Sequence, residues 1–438
     1  MARILKGQRF MNPPSDDNKR FWFTLDNAAK IFPAVISDET PVVFRLTAVL
    51  KQAIKLNFFQ QAVLTTEKRF PYFKVRLKEG FFWFYLENLP GHIPLSHETK
   101  KLCGRFSKYE MLVRIVIKGN RINLEFSHIL SDGGGAFEFF RTLLIEYSRL
   151  CGARISEDFP YIKPESTILE EEYEDAYKRH FKEEAPPILK RSAAFHLPFK
   201  LNTKPRFRQF TAILSVEKMK QLAKTKQVNI TVYLVAVYLF VLQEIFEGLP
   251  PAAKRRQKKC LRIQVPINLR TILPSKSLRN FSLFLMPEID LRLGQYTFDE
   301  ILKTVYHQMQ LESDEKLISK NIARNVGSEK KIYIRAIPLF IKSAVLRMKY
   351  YSLGTRQYSG VITNMGMVRL PEETAALIDH FIAIPPPPNK LLKINCGIIG
   401  FDDKLVLSFG NVTKSRLFEE KFLAFLKTQD LSIENGKT

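Results

Sequence analysis

A strand, a glycine-rich turn and a helix follow one another in the first third of the chain. Residues 121–126 alternate apolar and polar side chains, which predicts a strand with one buried face. The chain then passes through His128 and a loop at 131–135 into residues 136–150, where apolar side chains repeat with a helical period. A histidine at the end of such a strand projects into a cleft, where an imidazole with the ordinary pKa near 6.5 can accept a proton.

Both halves of the chain mix strand patterns with helix patterns. The first half predicts strands at 43–50, 72–77, 81–86, 112–118 and 121–126 and helices at 51–68 and 136–150. The second half predicts strands at 209–214, 261–265, 281–287, 360–363, 394–401 and 404–409 and helices at 216–224, 231–247, 298–317, 332–351 and 416–426. This pattern favours a layered α/β (α+β) fold of two similar domains, residues 1–160 and 206–438. Residues 161–205 carry prolines and the acidic stretch 170–175, which is typical of a connecting segment.

The chain carries a large positive charge. It has 68 Lys and Arg against 44 Asp and Glu, a formal net charge of +24, while its 45% hydrophobic content is ordinary for a soluble globular protein. The basic residues are spread over the whole sequence and no nucleic-acid-binding pattern occurs, so we expect no nucleic acid partner. One cluster is concentrated and forms either a solvated loop or a landing site for a phosphorylated or acidic partner: Lys254, Arg255, Arg256, Lys258 and Lys259.

A second basic segment, Arg335 to Lys349, has the composition of an amphipathic helix. It predicts either a helix with its apolar face in the core and its lysines in water, or a peripheral contact with a membrane.

The four cysteines and the N-terminus indicate the cellular setting. The cysteines lie far apart, with no histidine at metal-ligand spacing, so we expect reduced thiols, no metal and no permanently bound cofactor. The first ten residues lack the apolar core of a signal peptide, and the apolar run 230–242 is too short to cross a bilayer and predicts a buried helix. Together these features predict a cytoplasmic protein.

The segment His128-Ile-Leu-Ser-Asp132-Gly133 is the most informative motif. A chain of this composition holds roughly 0.01 matches to HxxxDG by chance. The short spacing between the histidine and the aspartate argues against a Ser-His-Asp triad, and there is no GxSxG nucleophile elbow. The motif therefore favours a general base without a covalent enzyme intermediate.

The string FSHILSDGGGAFEFF resembles the HxxxDG signature of the chloramphenicol acetyltransferase-like superfamily. That superfamily includes condensation domains of peptide synthetases, the BAHD plant acyltransferases and alcohol acetyltransferases. Four further segments resemble family segments in the same order: RFPYFKVR at 69–76, VPINLR at 265–270, RNFS at 279–282 and TNMG at 363–366. The resemblance covers about residues 20–430.

The resemblance implies a pseudo-dimer of two similar domains with an active-site tunnel between them. His128 would take a proton from an acceptor hydroxyl or amine, which would attack a thioester carbonyl directly. Asp132 would be structural, paired with Arg270, and Gly133 would keep the turn tight. The oxyanion or the acceptor would be contacted by Asn280, Ser282 or Asn364.

Two departures from the family motifs narrow the choice among the groups of this superfamily. Condensation domains carry a tandem HHxxxDG, whereas Ser127 stands at the first position here, and the DFGWG motif of the BAHD enzymes is missing. The stand-alone alcohol acetyltransferase-like group is then the nearest.

The donor and the partners stay open at this point. The leading hypothesis is transfer from acyl-CoA to a small apolar alcohol or amine. A second hypothesis keeps the same chemistry but takes the acyl group from a phosphopantetheinyl thioester on an acidic acyl carrier protein. A third hypothesis is that the chain is a catalytically silent binding or scaffold protein. For either donor, we expect the cluster at 254–259 to contact the donor phosphates.

Overall fold

Strands and helices alternate along the whole structure. The structure, a computed structural model, describes residues 21–97, 102–182 and 191–436. The strands are β1 (Trp22–Thr24), β2 (Val43–Leu50), β3 (Val75–Glu79), β4 (Phe84–Asn88), β5 (Leu95–His97), β6 (Val113–Lys118), β7 (Arg121–Ser127), β8 (Arg208–Ser215), β9 (Cys260–Asn268), β10 (Ser282–Leu285), β11 (Glu288–Asp290), β12 (Gly360–Met367), β13 (Ile378–Ile384), β14 (Ile394–Phe401), β15 (Lys404–Asn411) and β16 (Glu434–Asn435). The helices are α1 (Leu56–Arg69), α2 (Gly133–Leu150), α3 (Ala176–Arg179), α4 (Val216–Thr225), α5 (Ile230–Glu247), α6 (Pro251–Arg256), α7 (Phe298–Glu312), α8 (Glu315–Lys330), α9 (Ile332–Ala336), α10 (Leu339–Lys349), α11 (Glu372–Ala376) and α12 (Leu417–Lys427). The mixed α/β class predicted from the sequence is confirmed.

A five-stranded sheet in the order β13-β2-β7-β6-β5 forms the centre of the first half. Strands β6 and β7 form an antiparallel hairpin, and Gly119 in its turn has a φ of 57°, a conformation that glycine adopts without strain. The edge strand β13 comes from the second half and pairs antiparallel with β2, with Ile382 opposite Thr47. This strand, which was not predicted from the sequence, ties the second half to the first.

The second half is built on a larger mixed sheet in the order β10-β9-β12-β14-β15-β8-β16, with β11 also paired to β9. Helix α5 packs in the core beside this sheet. Within the described ranges it is the one helix long and apolar enough to cross a membrane by length and composition, but 72% of it is buried inside the protein. The burial agrees with the predicted core helix.

The two sheets approach each other at Gly397 in β14. A Cβ atom at this position would lie 2.2 Å from the carbonyl oxygen of Ala383 in β13, much closer than any side chain allows. Glycine is therefore required where the strand that crosses between the halves passes over the large sheet.

Two predicted long helices are each divided in the structure. The predicted helix 298–317 ends as α7 at Glu312, and Asp314 begins α8 by accepting hydrogen bonds from the backbone of Lys316 and Leu317. The predicted helix 332–351 is interrupted at Pro338, which lacks the backbone N–H that a continuous helix needs. A helical period does not reveal such breaks when both pieces keep similar apolar spacing.

The connecting segment after α2 is fixed to both halves through Glu172. Its buried carboxylate accepts two hydrogen bonds from the Arg69 guanidinium, at 2.7 and 2.6 Å, and one from the Tyr72 hydroxyl at 2.6 Å. Its carbonyl oxygen accepts a hydrogen bond from the backbone of Leu278 at 2.7 Å. The segment therefore holds the loop at 269–281, which belongs to the second half, close to the end of α1. The boundaries at 160 and 205 stay a prediction.

Candidate active site

His128 lies directly after β7, at the end of the central sheet. Its backbone N–H donates to the Val42 carbonyl at 3.0 Å, which continues the pairing of β2 with β7 by one residue. Its half-buried ring packs against Phe44, with centroids 4.6 Å apart, and stacks on Phe32 at 5.8 Å. Two aromatic rings thus fix the plane of the imidazole.

The imidazole has a defined tautomer. Nδ1 lies 3.3 Å from the carbonyl oxygen of Ser131. Because a carbonyl oxygen can only accept a hydrogen bond, Nδ1 carries the hydrogen and Nε2 carries the lone pair. The side chain is therefore arranged as a base that acts through Nε2.

Burial governs the protonation of His128. Removal from water lowers the pKa of the imidazole below its ordinary value, while the Asp132 carboxylate, the Ser131 carbonyl and the Asn280 side chain act in the opposite direction. The net effect is a lowered pKa, which keeps the imidazole neutral at neutral pH. A neutral imidazole is the form that a general base requires.

Asp132 connects the two halves of the protein with one carboxylate. Oδ1 accepts a hydrogen bond from the backbone of Gly135 at 2.9 Å and so caps α2. Oδ2 accepts from the Arg270 guanidinium at 2.9 Å and from the backbone of Phe281 at 2.8 Å. The ion pair expected from the resemblance is present. Because the two oxygens of the Asp132 carboxylate already accept three hydrogen bonds, the role of this side chain is structural.

Arg270 organises the loop opposite the motif. Besides Asp132, it donates from Nε to the carbonyl of Ser277 at 2.7 Å, from Nη2 to the carbonyl of Arg279, and from Nη1 to the Asn268 side chain at 3.1 Å. One guanidinium therefore holds both ends of the loop between β9 and β10 and attaches it to the start of α2.

The three glycines of the motif meet different neighbours. A Cβ on Gly135 would lie 1.9 Å from the Leu278 carbonyl oxygen and 2.5 Å from Ser131 Oγ, which leaves no room for a side chain. A Cβ on Gly133 would meet the flexible end of Met365, and one on Gly134 would make only ordinary contacts. That Gly133 keeps the turn tight stays a prediction, and the structure adds Gly135 as a position where no side chain fits.

Asn280 and Asp26 form a buried layer behind the histidine. The Asn280 amide donates to the His128 carbonyl oxygen at 2.9 Å and to Asp26 Oδ2 at 3.0 Å, so both of its hydrogens are used. Both amide hydrogens of Asn280 are thus already donated, and its contact with an oxyanion or an acceptor stays a prediction. Burial raises the pKa of Asp26 to about 6, against the opposing charge of Arg279.

Asp26 is a buried neighbour of the site that was not predicted from the sequence. It lies in an irregular segment 102 residues before His128, and no motif or period surrounds it. No pattern in the sequence marked it as a member of the site.

The two other oxyanion candidates have different surroundings. The backbone N–H and carbonyl of Ser282 both bond to the Tyr177 hydroxyl, at 2.9 and 2.5 Å. The Asn364 amide donates to Thr231 Oγ1 at 2.9 Å and its carbonyl oxygen accepts from Gly366 at 2.8 Å. The neighbour of Asn364, Met365, is the residue that packs on Gly133, which places this strand end beside the motif.

The basic cluster is not brought to the histidine. Lys254, Arg255 and Arg256 belong to α6, and Lys258 and Lys259 lead into β9. Arg270 follows the opposite end of that nine-residue strand, about 25–30 Å away at the usual rise of a strand. Lys254 also pairs with Glu247 at 2.6 Å. The contact of this cluster with a donor stays a prediction.

Within the described ranges, no group of three or more His, Cys, Asp or Glu side chains is arranged to hold a metal ion.

Comparison with known proteins identifies the fold. The sequence matches no protein-family model and no curated protein. Among solved structures, the chain is similar to the trichothecene 15-O-acetyltransferase of Fusarium sporotrichioides, with 10% identity, a TM-score of 0.58 and coverage of 94% of this chain and 95% of that one. It is similar to polyketide synthase associated protein 5 of Mycobacterium tuberculosis, with 12% identity, a TM-score of 0.55 and coverage of 92% and 97%.

A third similar structure is a double mutant of the starter condensation domain of rhizomide synthetase in complex with C8-CoA and Leu-SNAC. It has 12% identity, a TM-score of 0.55 and coverage of 93% of this chain and 94% of that one. The chain thus has the fold of condensation domains and this acetyltransferase over almost its whole length, which confirms the fold that the motif resemblance implied.

Replacement of Asp132 by Ala should destabilise the protein as well as slow any reaction at the site. It removes three hydrogen bonds and leaves the Arg270 guanidinium without its carboxylate. We expect a loss of about 3 kcal/mol in the free energy of unfolding, the lower end for a broken buried pair, because Arg270 keeps other acceptors. Urea denaturation measures it. Asp38→Ala, which breaks the exposed pair with Arg105, is the control and should cost less than about 1 kcal/mol.

Gly135 and Gly134 provide a matched pair of substitutions. Gly135→Ala forces a methyl group into the Leu278 carbonyl and should lower the free energy of unfolding by about 1–3 kcal/mol or more. Gly134→Ala adds the same methyl group where only ordinary contacts exist and should leave stability unchanged or slightly increased. Thermal unfolding of the two variants side by side is the measurement. Equal melting temperatures would show that the approach at Gly135 is not tight.

Proposed function

We propose that the protein is an acyltransferase that moves an acyl group from a thioester to a hydroxyl or amine acceptor, with His128 as the general base. The observation that carries the proposal is the orientation of the imidazole. Nδ1 lies against the Ser131 carbonyl, so the lone pair is on Nε2, and the residue directly follows β7, where its own carbonyl accepts a hydrogen bond from Asn280 of the second half. The fold shared with an acetyltransferase and a condensation domain supports it.

The reaction follows from one base and two aligned substrates. Nε2 of His128 takes the proton of the acceptor hydroxyl or amine as the acceptor oxygen or nitrogen attacks the thioester carbonyl. The tetrahedral intermediate then collapses, the carbon–sulfur bond breaks, and the departing thiolate takes the proton back from the imidazolium. Alignment of both substrates beside the base converts a bimolecular reaction into an effectively unimolecular one.

Asp132 and Asn280 act as positioning residues in this scheme. Asp132 fixes the start of α2 against the loop of the second half, and Asn280 holds the His128 carbonyl. The Asp132 carboxylate already accepts three hydrogen bonds, and both amide hydrogens of Asn280 are already donated. The candidates for oxyanion contact are then the Ser282 hydroxyl and the second amide hydrogen of Asn364.

For the donor, we favour acyl-CoA over a thioester on a carrier protein. The similar condensation domain was determined with C8-CoA, which supports a CoA thioester as a ligand of this fold. The acetyltransferase among the similar structures supports an alcohol as the acceptor. The net charge of +24 suits the phosphates of CoA and also an acidic carrier protein, so charge alone does not separate the two donors.

His128→Ala should abolish acyl transfer without unfolding the protein. Loss of a general base lowers kcat by about 10²–10⁴-fold. The measurement is release of free CoA from a panel of acyl-CoAs in the presence of alcohol or amine acceptors. His97→Ala, on the exposed edge strand β5, is the control and should keep full activity. Full activity of the His128 variant would contradict the mechanism.

The pH profile provides a second check. Because the base acts when neutral and burial lowers its pKa, kcat/KM with an alcohol acceptor should rise through a pKa below the ordinary 6.5 and stay level above it. Asp26, with a pKa of about 6, titrates in the same region. Asp26→Asn should therefore keep a rising limb, because the limb belongs to His128. A profile that falls from pH 5 to 7 would contradict a neutral base.

A further inference from the structure

Helix α10 turns its apolar side to water. Phe340 is 74% exposed and Met348 is 62% exposed, and Ile341 and Val345 lie beside them on the same face. By contrast, Lys342 is only 6% exposed. Of the two interpretations that the sequence left open, a wholly core-facing apolar side does not describe α10, which buries Leu339 but exposes most of its other large apolar side chains.

Specific contacts hold the helix in this orientation. The Lys342 ammonium donates to the carbonyl of Phe82 at 3.1 Å and to that of Arg335 at 3.0 Å, and it lies 3.6 Å from the centroid of the Trp83 ring. On the same helix, Arg347 Nε donates to the Ala34 carbonyl at 2.8 Å. The basic side chains thus anchor the helix to the protein, so the apolar face cannot turn inward without breaking these contacts.

The turn between β3 and β4 extends the apolar face. Phe81 at its tip is 74% exposed, and its carbonyl accepts a hydrogen bond from the backbone of Leu339 at 3.0 Å. A groove of about 420 Å³ lies between this turn and the start of α10. Together they form what we call the α10 surface, whose members are Phe81, Phe82, Phe340, Ile341, Val345 and Met348.

The stretch of chain that carries α10 is basic, although the exposed carboxylate of Glu79 also lines the groove. No Asp or Glu occurs in the sequence between Glu329 and Glu372. Lys331, Arg335 and Lys349 are exposed in this stretch. An exposed apolar face beside cationic side chains is the arrangement that proteins use at anionic bilayers. A second copy of a chain with a charge of +24 would bring like charges together and fits this surface less well.

We propose that the α10 surface docks on an anionic lipid bilayer. Its aromatic and aliphatic side chains enter the interface between headgroups and acyl chains, and the neighbouring Lys and Arg side chains contact lipid phosphates. The opposite side of α10 packs on the helical turn Ala29–Ala34, whose Phe32 stacks on His128. The docked face therefore lies one layer away from the candidate base.

Vesicle binding of the purified full-length chain tests the proposal without any enzyme assay. We expect the chain to co-sediment with phosphatidylcholine vesicles that contain about 30 mol% phosphatidylglycerol. With vesicles of phosphatidylcholine alone, much less of the chain should co-sediment. The combined variant Phe340→Ser with Met348→Ser should weaken binding at least about tenfold. Lys331→Gln with Lys349→Gln should weaken it at low salt and reduce its dependence on salt.

The matched control replaces exposed leucines elsewhere, Leu293→Ser with Leu311→Ser, and should bind as the wild type does. Hydrogen exchange of the unmodified chain gives a second measurement, in which peptides from 337–349 become protected when anionic vesicles are added. Absence of vesicle binding by the wild type would overturn the proposal. Two other results would also overturn it. In the first, the wild type is a dimer, the Phe340/Met348 variant is a monomer, and neither protein binds vesicles. In the second, the wild type binds an acidic carrier protein but not vesicles. Because the readout is binding, its failure leaves the acyltransferase proposal untouched.

Discussion

The carboxylate of Asp132 is the interaction on which the arrangement of the site depends. It is the N-terminal cap of α2 and at the same time the partner of Arg270 and of the Phe281 backbone, so one side chain fixes the helix of one half to the loop of the other. The Leu278 carbonyl approaches the motif so closely that only glycine fits at position 135. His128 stands four residues before this anchor, and its own carbonyl accepts a hydrogen bond from Asn280 of the second half.

Much of the site could be predicted because its central part is local. The strand, the turn and the helix from 121 to 150 are specified by alternation, glycine and helical period, and the histidine lies where the strand pattern ends. The Arg270 partner followed from the resemblance, whose segments keep their order along the chain. The strand patterns in both halves likewise gave the layered α/β class, because period and length differ clearly between strands and helices.

The rest depends on contacts between distant residues. Strand β13 is a short apolar run before a series of prolines, and its place as the edge of the other half's sheet is set by pairing with β2. Asp26 and Asn280 are 254 residues apart and meet only after folding. For α10, the period locates an apolar stripe correctly, but it cannot tell whether the stripe faces the core or water; the partners of Lys342 decide that.

The position of α10 relates the two proposals physically. A thioester with a long acyl chain and an apolar alcohol both partition into a bilayer, since each buried methylene favours transfer from water by about 0.8 kcal/mol. An enzyme in solution would meet such substrates at low free concentration, whereas one held at the membrane surface is exposed to them at high local concentration. The helix that carries the apolar face packs on the turn that holds Phe32 against His128, so a docked protein would bring its base within one helix layer of the bilayer. The basic side chains that anchor α10 to the body of the protein are also what keep its apolar side available for that contact.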